Sequence, residues 1–158
     1  MTDDMTQLMY EDICKRLPYG VKVRVEVWDE ESCESEMKAL PVYSLNTDGY
    51  FTVNTDYESI QIEADGIVPY LRSVSSMTDA EMDRLFDVLG VEKDGGGEDW
   101  IKINDVTGIK FFLQSGRWME EIDRALSYLR SIHIDIYGFI AKGLAIEAPS
   151  GLYGEDVV

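Results

Sequence analysis

Val21, Val23, Val25 and Val27 alternate with Lys22, Arg24 and Glu26. Successive side chains of a strand point to opposite faces, so this period of two specifies a strand with one buried face. Such a strand cannot stand alone; it needs paired neighbours and an apolar layer to cover it. The residues around it supply candidates. Leu40 to Leu45 and Tyr50 to Val53 read as two more strands joined by the turn Asn46-Thr47-Asp48-Gly49, and Ile60 and Ile62 mark a fourth. Residues up to Gly66 therefore predict a small antiparallel meander, with closure into a barrel as its alternative. Ahead of it, Tyr10 to Arg16 is a short amphipathic segment that Leu17-Pro18-Tyr19-Gly20 would stop. Asp29 to Glu36 (DEESCESE) reads as an acidic loop.

Past Gly66 the pattern changes from strand to helix. Thr78 and Glu81 have the Thr-x-x-Glu spacing of a capping box. Met82, Leu85, Phe86 and Leu89 follow at helical spacing, and Gly90 can end that helix. Val91 to Asp99 holds three consecutive glycines among charges and reads as a loop. Ile101, Ile103, a turn from Asn104 to Gly108 and the apolar run Ile109 to Leu113 predict a second hairpin. After Gly116, the residues Trp118, Met119, Ile122, Ala125, Leu126, Leu129 and Ile132 share one face of a long amphipathic helix. His133 would extend that apolar face if the helix runs on. The stretch His133 to Tyr153 has no sustained period and reads as turns over the core. The fold class is α+β: an N-terminal meander, a capped helix, a hairpin, a long C-terminal helix and an irregular tail. It forms one domain over 1–158, with a β-rich 1–66 and a mixed 67–158 as its subdivision.

Charge narrows the partners. The 158 residues carry 31 Asp and Glu against 14 Lys and Arg, a formal net charge of −17. So acidic a surface repels phosphate backbones and anionic lipid, which disfavours direct binding of nucleic acid or membrane. No apolar run approaches the roughly 18–20 residues of a membrane span, and the start of the chain lacks a basic-then-apolar leader. With Cys14 and Cys33 its only cysteines, the chain suits a reducing, cytoplasmic setting better than a disulfide scaffold.

Few residues suggest chemistry. His133 is the single histidine, so no two-histidine metal site can form. It reads as a core or capping residue, and pairing with a cysteine as base and nucleophile has no local signature to support it. The acidic loop lacks the D-x-D-x-D-G order of a calcium site. The Asp94-to-Asp99 glycines lack the G-K-[ST] of a phosphate loop. The aromatic residues Trp118, Tyr128, Tyr137 and Phe139 are either core or the lining of a binding groove.

Two stretches carry a resemblance. Pro69 to Thr78 reads PYLRSVSSMT, and His133 to Pro149 reads HIDIYGFIAKGLAIEAP. Together they resemble the PYLRPMSSMT-like and HxDYRGLIxKGLALEAP-like motifs of an uncharacterised family of small proteins from gut Bacteroidetes and their phages and mobile elements. Ser73 and Val74 depart from that pattern, as does Ile132, which replaces the first His of a pair. Tyr137 stands where Arg is usual. The resemblance implies a prophage or mobile-element origin and carries no activity with it. Both motifs also have a physical reading: Ser-Ser-Met-Thr initiates a helix, and Gly143 suits a left-handed cap with Leu144 making its apolar contact. Beside that reading stands a partner-binding surface of Tyr70, Arg72, Tyr137, Phe139 and Lys142.

The expectation is a small cytoplasmic protein, not an enzyme, with neither cofactor nor metal, that binds an unidentified protein. Two alternatives are a DNA mimic that inhibits a nucleic-acid-binding enzyme and a carboxylate- or metal-dependent enzyme. The sequence leaves the partner and the oligomeric state open.

Overall fold

The alternating valines form the strand they specify. In the computed structural model, which describes residues 3–56, 58–90, 100–112 and 118–154, β1 runs Lys22–Asp29. Val21, Val23, Val25 and Val27 are buried, whereas Arg24, Glu26 and Trp28 are exposed. Each buried valine contributes about 1.5–3 kcal/mol relative to an exposed one. The chain divides into two units, Met1–Tyr70 and Leu71–Val158.

In the first unit β1 is followed by β2 (Glu34–Leu45), β3 (Phe51–Asn54) and β4 (Ser59–Ile62). They pair antiparallel in the order β1-β2-β3-β4, the predicted meander, curled into half a barrel. Asn46 makes the β2–β3 turn: its Oδ1 accepts from the Asp48 and Tyr50 N–H groups, each at 3.0 Å. The acidic loop is shorter than the sequence suggested. Asp29 closes β1 and Glu34 opens β2, so only residues 30–33 turn. Between Val42 and Ser44 the β2–β3 register shifts at Tyr43, a bulge that leaves its ring 73% exposed.

Helix α1 covers Asp3–Arg16, starting well before Tyr10. Its buried face is Met9, Asp12, Ile13 and Arg16, the spacing of one helical stripe. Half of that stripe is charged. Arg16 Nε donates to Asp12 at 2.7 Å with both side chains wholly buried. Tyr10 packs its ring against Phe51 of β3 at 5.6 Å. The helix ends where expected, in a 3₁₀ turn Leu17–Tyr19 closed by Gly20 at φ +73°.

In the second unit Leu71, the last residue of β5 (Tyr70–Leu71), accepts from the Ala148 N–H at 2.7 Å beside β8 (Ile146–Glu147). Helix α2 (Asp79–Leu89) has both bonds of the capping box and ends on left-handed Gly90. The predicted hairpin is β6 (Trp100–Asn104) with β7 (Gly108–Phe112). Helix α3 (Trp118–Ser131) has 14 residues, the same as α1. Val74, Leu85, Leu89, Ile109, Ala125, Leu129, Ile132, Ile134 and Ile136 form one core cluster. The glycine-rich 91–99 and the Trp118 side chain lie outside the described residues.

Two glycines let backbones meet without side chains between them. A Cβ on Gly108 would lie 1.9 Å from the Ile136 carbonyl oxygen, and one on Gly138 would lie 2.3 Å from that of Val106. The contact is secured by the Ile109 N–H, which donates to the Ile136 carbonyl at 2.8 Å. Among the described residues no helix is long and apolar enough to cross a membrane.

Candidate functional site

The two motifs, which start at Pro69 and His133 in the sequence, come together through Arg72. Arg72 pairs with Ile134 in a parallel bridge. Its N–H donates to the His133 carbonyl at 2.7 Å, and its carbonyl accepts from the Asp135 N–H at 2.8 Å. The strand-like end of the first motif thereby fixes where α3 stops.

That stop decides how His133 is used. The helix ends at Ser131, so His133 does not extend its apolar face and is instead a buried capping residue. It sits past the C-terminus at φ +65°, where glycine is usual. Its N–H donates to the Arg130 carbonyl at 3.1 Å, and the Ile134 N–H donates to that of Leu129 at 3.0 Å. These are the two bonds of a Schellman cap, with buried Ile134 and Leu129 as its apolar pair. A non-glycine residue in this conformation costs about 1–2 kcal/mol. The imidazole is 7% exposed and stacks on Tyr153, ring centroids 3.5 Å apart and 9° from parallel.

The Arg72 side chain ties three segments. Its Nη1 and Nη2 donate to Glu81 Oε2 and Oε1 at 2.8 and 2.7 Å. They also donate to the carbonyls of Ile132, at 3.2 Å, and Ser76, at 3.0 Å. Glu81 is buried, and its Oε1 accepts the Thr78 N–H of the capping box at 2.9 Å. Burial pushes its carboxyl up, but the hydrogen bonds and charge of Arg72 and the Thr78 amide outweigh it, holding Glu81 below its ordinary 4.5. A carboxylate with a depressed folded value stabilises the fold above its unfolded value and loses that contribution as pH falls through the folded one. Wild type is therefore expected to be more stable than Glu81→Gln at neutral pH, with the gap narrowing as pH drops below about 4. Denaturant midpoints of both proteins across that range check this; a gap that holds steady into acid would refute it.

Asp135 performs a similar task. Its Oδ1 and Oδ2 each accept at 2.9 Å, from the N–H groups of Phe139 and Ile140. They start a single turn that Gly143 closes at φ +75°, with the Leu144 N–H on the Phe139 carbonyl at 2.9 Å. The left-handed cap read from Lys-Gly-Leu-Ala is thus present.

The residues proposed for partner binding have different surroundings. Phe139 is wholly buried and is a core side chain; its ring tilts against that of half-buried Tyr137 at 5.6 Å. The Tyr137 hydroxyl accepts from Arg130 Nη2 at 3.2 Å. Lys142 is exposed, its Nζ donating to the Tyr137 carbonyl at 2.8 Å. Arg72 is held by Glu81, and Tyr70 is half-buried at the end of the first unit. Tyr128 is half-buried on α3. A pocket of about 560 Å³ opens beside the Arg72 junction, lined among others by Ser76, Thr78, Glu147, Ser150 and Tyr153. Arg72 faces it already engaged by Glu81, and Thr78 is engaged in its cap.

A different surface lies on the β1–β2 hairpin of the first unit. Trp28 is 54% exposed and Met37 56%. Trp28 pairs with Ser35 and Glu26 with Met37, so Trp28 and Met37 are diagonal neighbours on one face. Sequence reasoning passed over them because they lie nine residues apart in the chain; only the register joins them. No group of three His, Cys, Asp or Glu side chains is placed to hold a metal ion among the described residues. No protein-family model, curated protein or solved structure matches the chain.

Proposed function

We propose that this is a small cytoplasmic protein of mobile-element origin that acts without catalysis, by binding another protein. The supporting observation is the outer face of the β1–β2 hairpin. Large apolar side chains that cluster in water without burial mark interaction surfaces. Here Trp28 and Met37 lie together, in a hairpin whose turn and flanks carry Asp29, Glu30, Glu31, Glu34 and Glu36. An apolar centre with a charged rim is the common anatomy of a protein interface. The Arg72 junction supports the reading from the other side. Its polar groups are spent on one another, as befits a scaffold for the second unit.

The test is capture of partners from host lysate by tagged full-length protein, with Trp28→Ser/Met37→Ser as the comparison. One specific partner on wild type, lost from the double variant, is the expected result. Equal recovery on both, or none on wild type, refutes the hairpin as the binding surface. Elution by salt of a nucleic-acid-binding protein would instead point to the DNA-mimic alternative, because charge-driven contacts are screened.

A further inference from the structure

The register of the first unit leaves part of β2 without a second neighbour. Residues Glu34 to Pro41 pair with β1, and β3 pairs only from Val42 onward. Among the described residues nothing else pairs with that stretch. The Val42 N–H donates to the Val21 carbonyl at 3.0 Å. In an antiparallel ladder the hydrogen-bonded pairs recur every second residue, so Glu34, Glu36, Lys38 and Leu40 also bond toward β1. The amides of Ser35, Met37 and Ala39 then point off the edge. Pro41 fits the same parity, because it occupies an outward position where no N–H is needed. Beyond it the bulge at Tyr43 and the start of β3 end the open stretch.

Resting on the protein-binding reading above, we infer that this edge accepts an extended segment of a basic partner as an added strand. Strand addition takes affinity from the main chain and specificity from alternate side chains. On the face of the buried valines, the open edge presents Glu34 and Glu36, followed by Lys38. Asp29 and Glu34 stand directly opposite each other, a like-charge pair that costs stability and that a cation would relieve. On the other face lie Met37 and Trp28. The segment that fits alternates basic residues toward the glutamates with apolar residues toward Met37. The chain's net charge of −17 attracts such a partner and repels a second copy of itself. Only pairing centred on Met37 would set Glu36 against Lys38 of another copy.

The probe is a synthetic peptide of alternating Lys and Val that spans Glu34 to Pro41, added to the isotope-labelled full chain. Amide hydrogen exchange is expected to slow by about tenfold or more at Ser35, Met37 and Ala39. Glu36 and Lys38, already bonded to β1, should change little. A Glu-Val peptide should do nothing. Met37→Pro removes one outward N–H without touching the β1 ladder and should weaken peptide binding by about tenfold. Glu34→Gln/Glu36→Gln, which alters no backbone bond, should abolish its salt dependence. The proposal is overturned if the peptide fails to protect those amides or protects others. It is also overturned if sedimentation shows a dimer in which they are protected beforehand, since a second copy is then the occupant. If Met37→Pro captures the same lysate partner as wild type, protein binding stands and strand addition falls.

Discussion

Gly108→Ala is expected to destabilise the second unit by at least about 4 kcal/mol, among the largest losses a single substitution produces. The new methyl carbon would lie 1.9 Å from the Ile136 carbonyl oxygen, far inside van der Waals contact. That oxygen cannot yield, since it accepts from the Ile109 N–H and belongs to a buried residue. The hairpin would have to lift away, losing that hydrogen bond and opening the cluster that holds Ile109 and Ile136. Gly143→Ala is the control. Gly143 has a similar φ, +75° against +80°, but nothing lies within 4 Å of its Cβ position. It should cost only the left-handed penalty of about 1–2 kcal/mol. Urea unfolding of both variants separates conformation from collision. Equal losses would mean that the backbone contact is not as close as described.

Arg72→Met is expected to cost about 3–5 kcal/mol at neutral pH, the range for a buried pair that loses one partner. The methionine keeps much of the stem's volume but leaves the Glu81 carboxylate buried, with the Thr78 N–H still donating to it. The carbonyls of Ile132 and Ser76 lose a donor as well. Without the guanidinium, burial is opposed only by the Thr78 hydrogen bonds, and Glu81 binds a proton more readily than in wild type. The sign then reverses relative to wild type: the deficit is full where Glu81 is ionised and shrinks as pH falls and the carboxyl becomes neutral. Unfolding of the variant from neutral to acid pH checks this. A deficit that grew in acid would show that Glu81 was not the group left exposed to the loss.

The parts of this fold that could be read from sequence are those decided by neighbours along the chain. Valine alternation set β1, Asn46 to Gly49 set the β2–β3 turn, and Thr78 with Glu81 set the start of α2, because each signal and its effect lie within a few residues. The apolar period showed that α3 ends near Ile132, but not how it ends: the left-handed backbone at His133 and the bridge from Ile134 to Arg72 depend on a segment distant in the chain. Asp12 and Arg16 look like an ordinary exposed i,i+4 pair, and nothing local marks their complete burial. Phe139 could be core or surface by its type alone, and packing decided for core. The open edge of β2 needed the register, since Ser35, Met37 and Ala39 share no chemical trait. The two motifs were visible as strings, but their meeting at Arg72 was a property of the fold.

The stitching of Leu71 to Ala148 and of Arg72 to His133 and Asp135 also orders events during synthesis. The first unit is built from successive hairpins, whose partners leave the ribosome one after another, and such local contacts form early and fast. The second unit cannot do the same. Its opening residues wait for partners more than 60 residues further along the chain, and closing so long a loop carries an entropic cost that local pieces cannot offset beforehand. While the tail is still being translated, α2 and the β6–β7 hairpin have only a partial core, and their apolar faces are open to chaperones and to other chains.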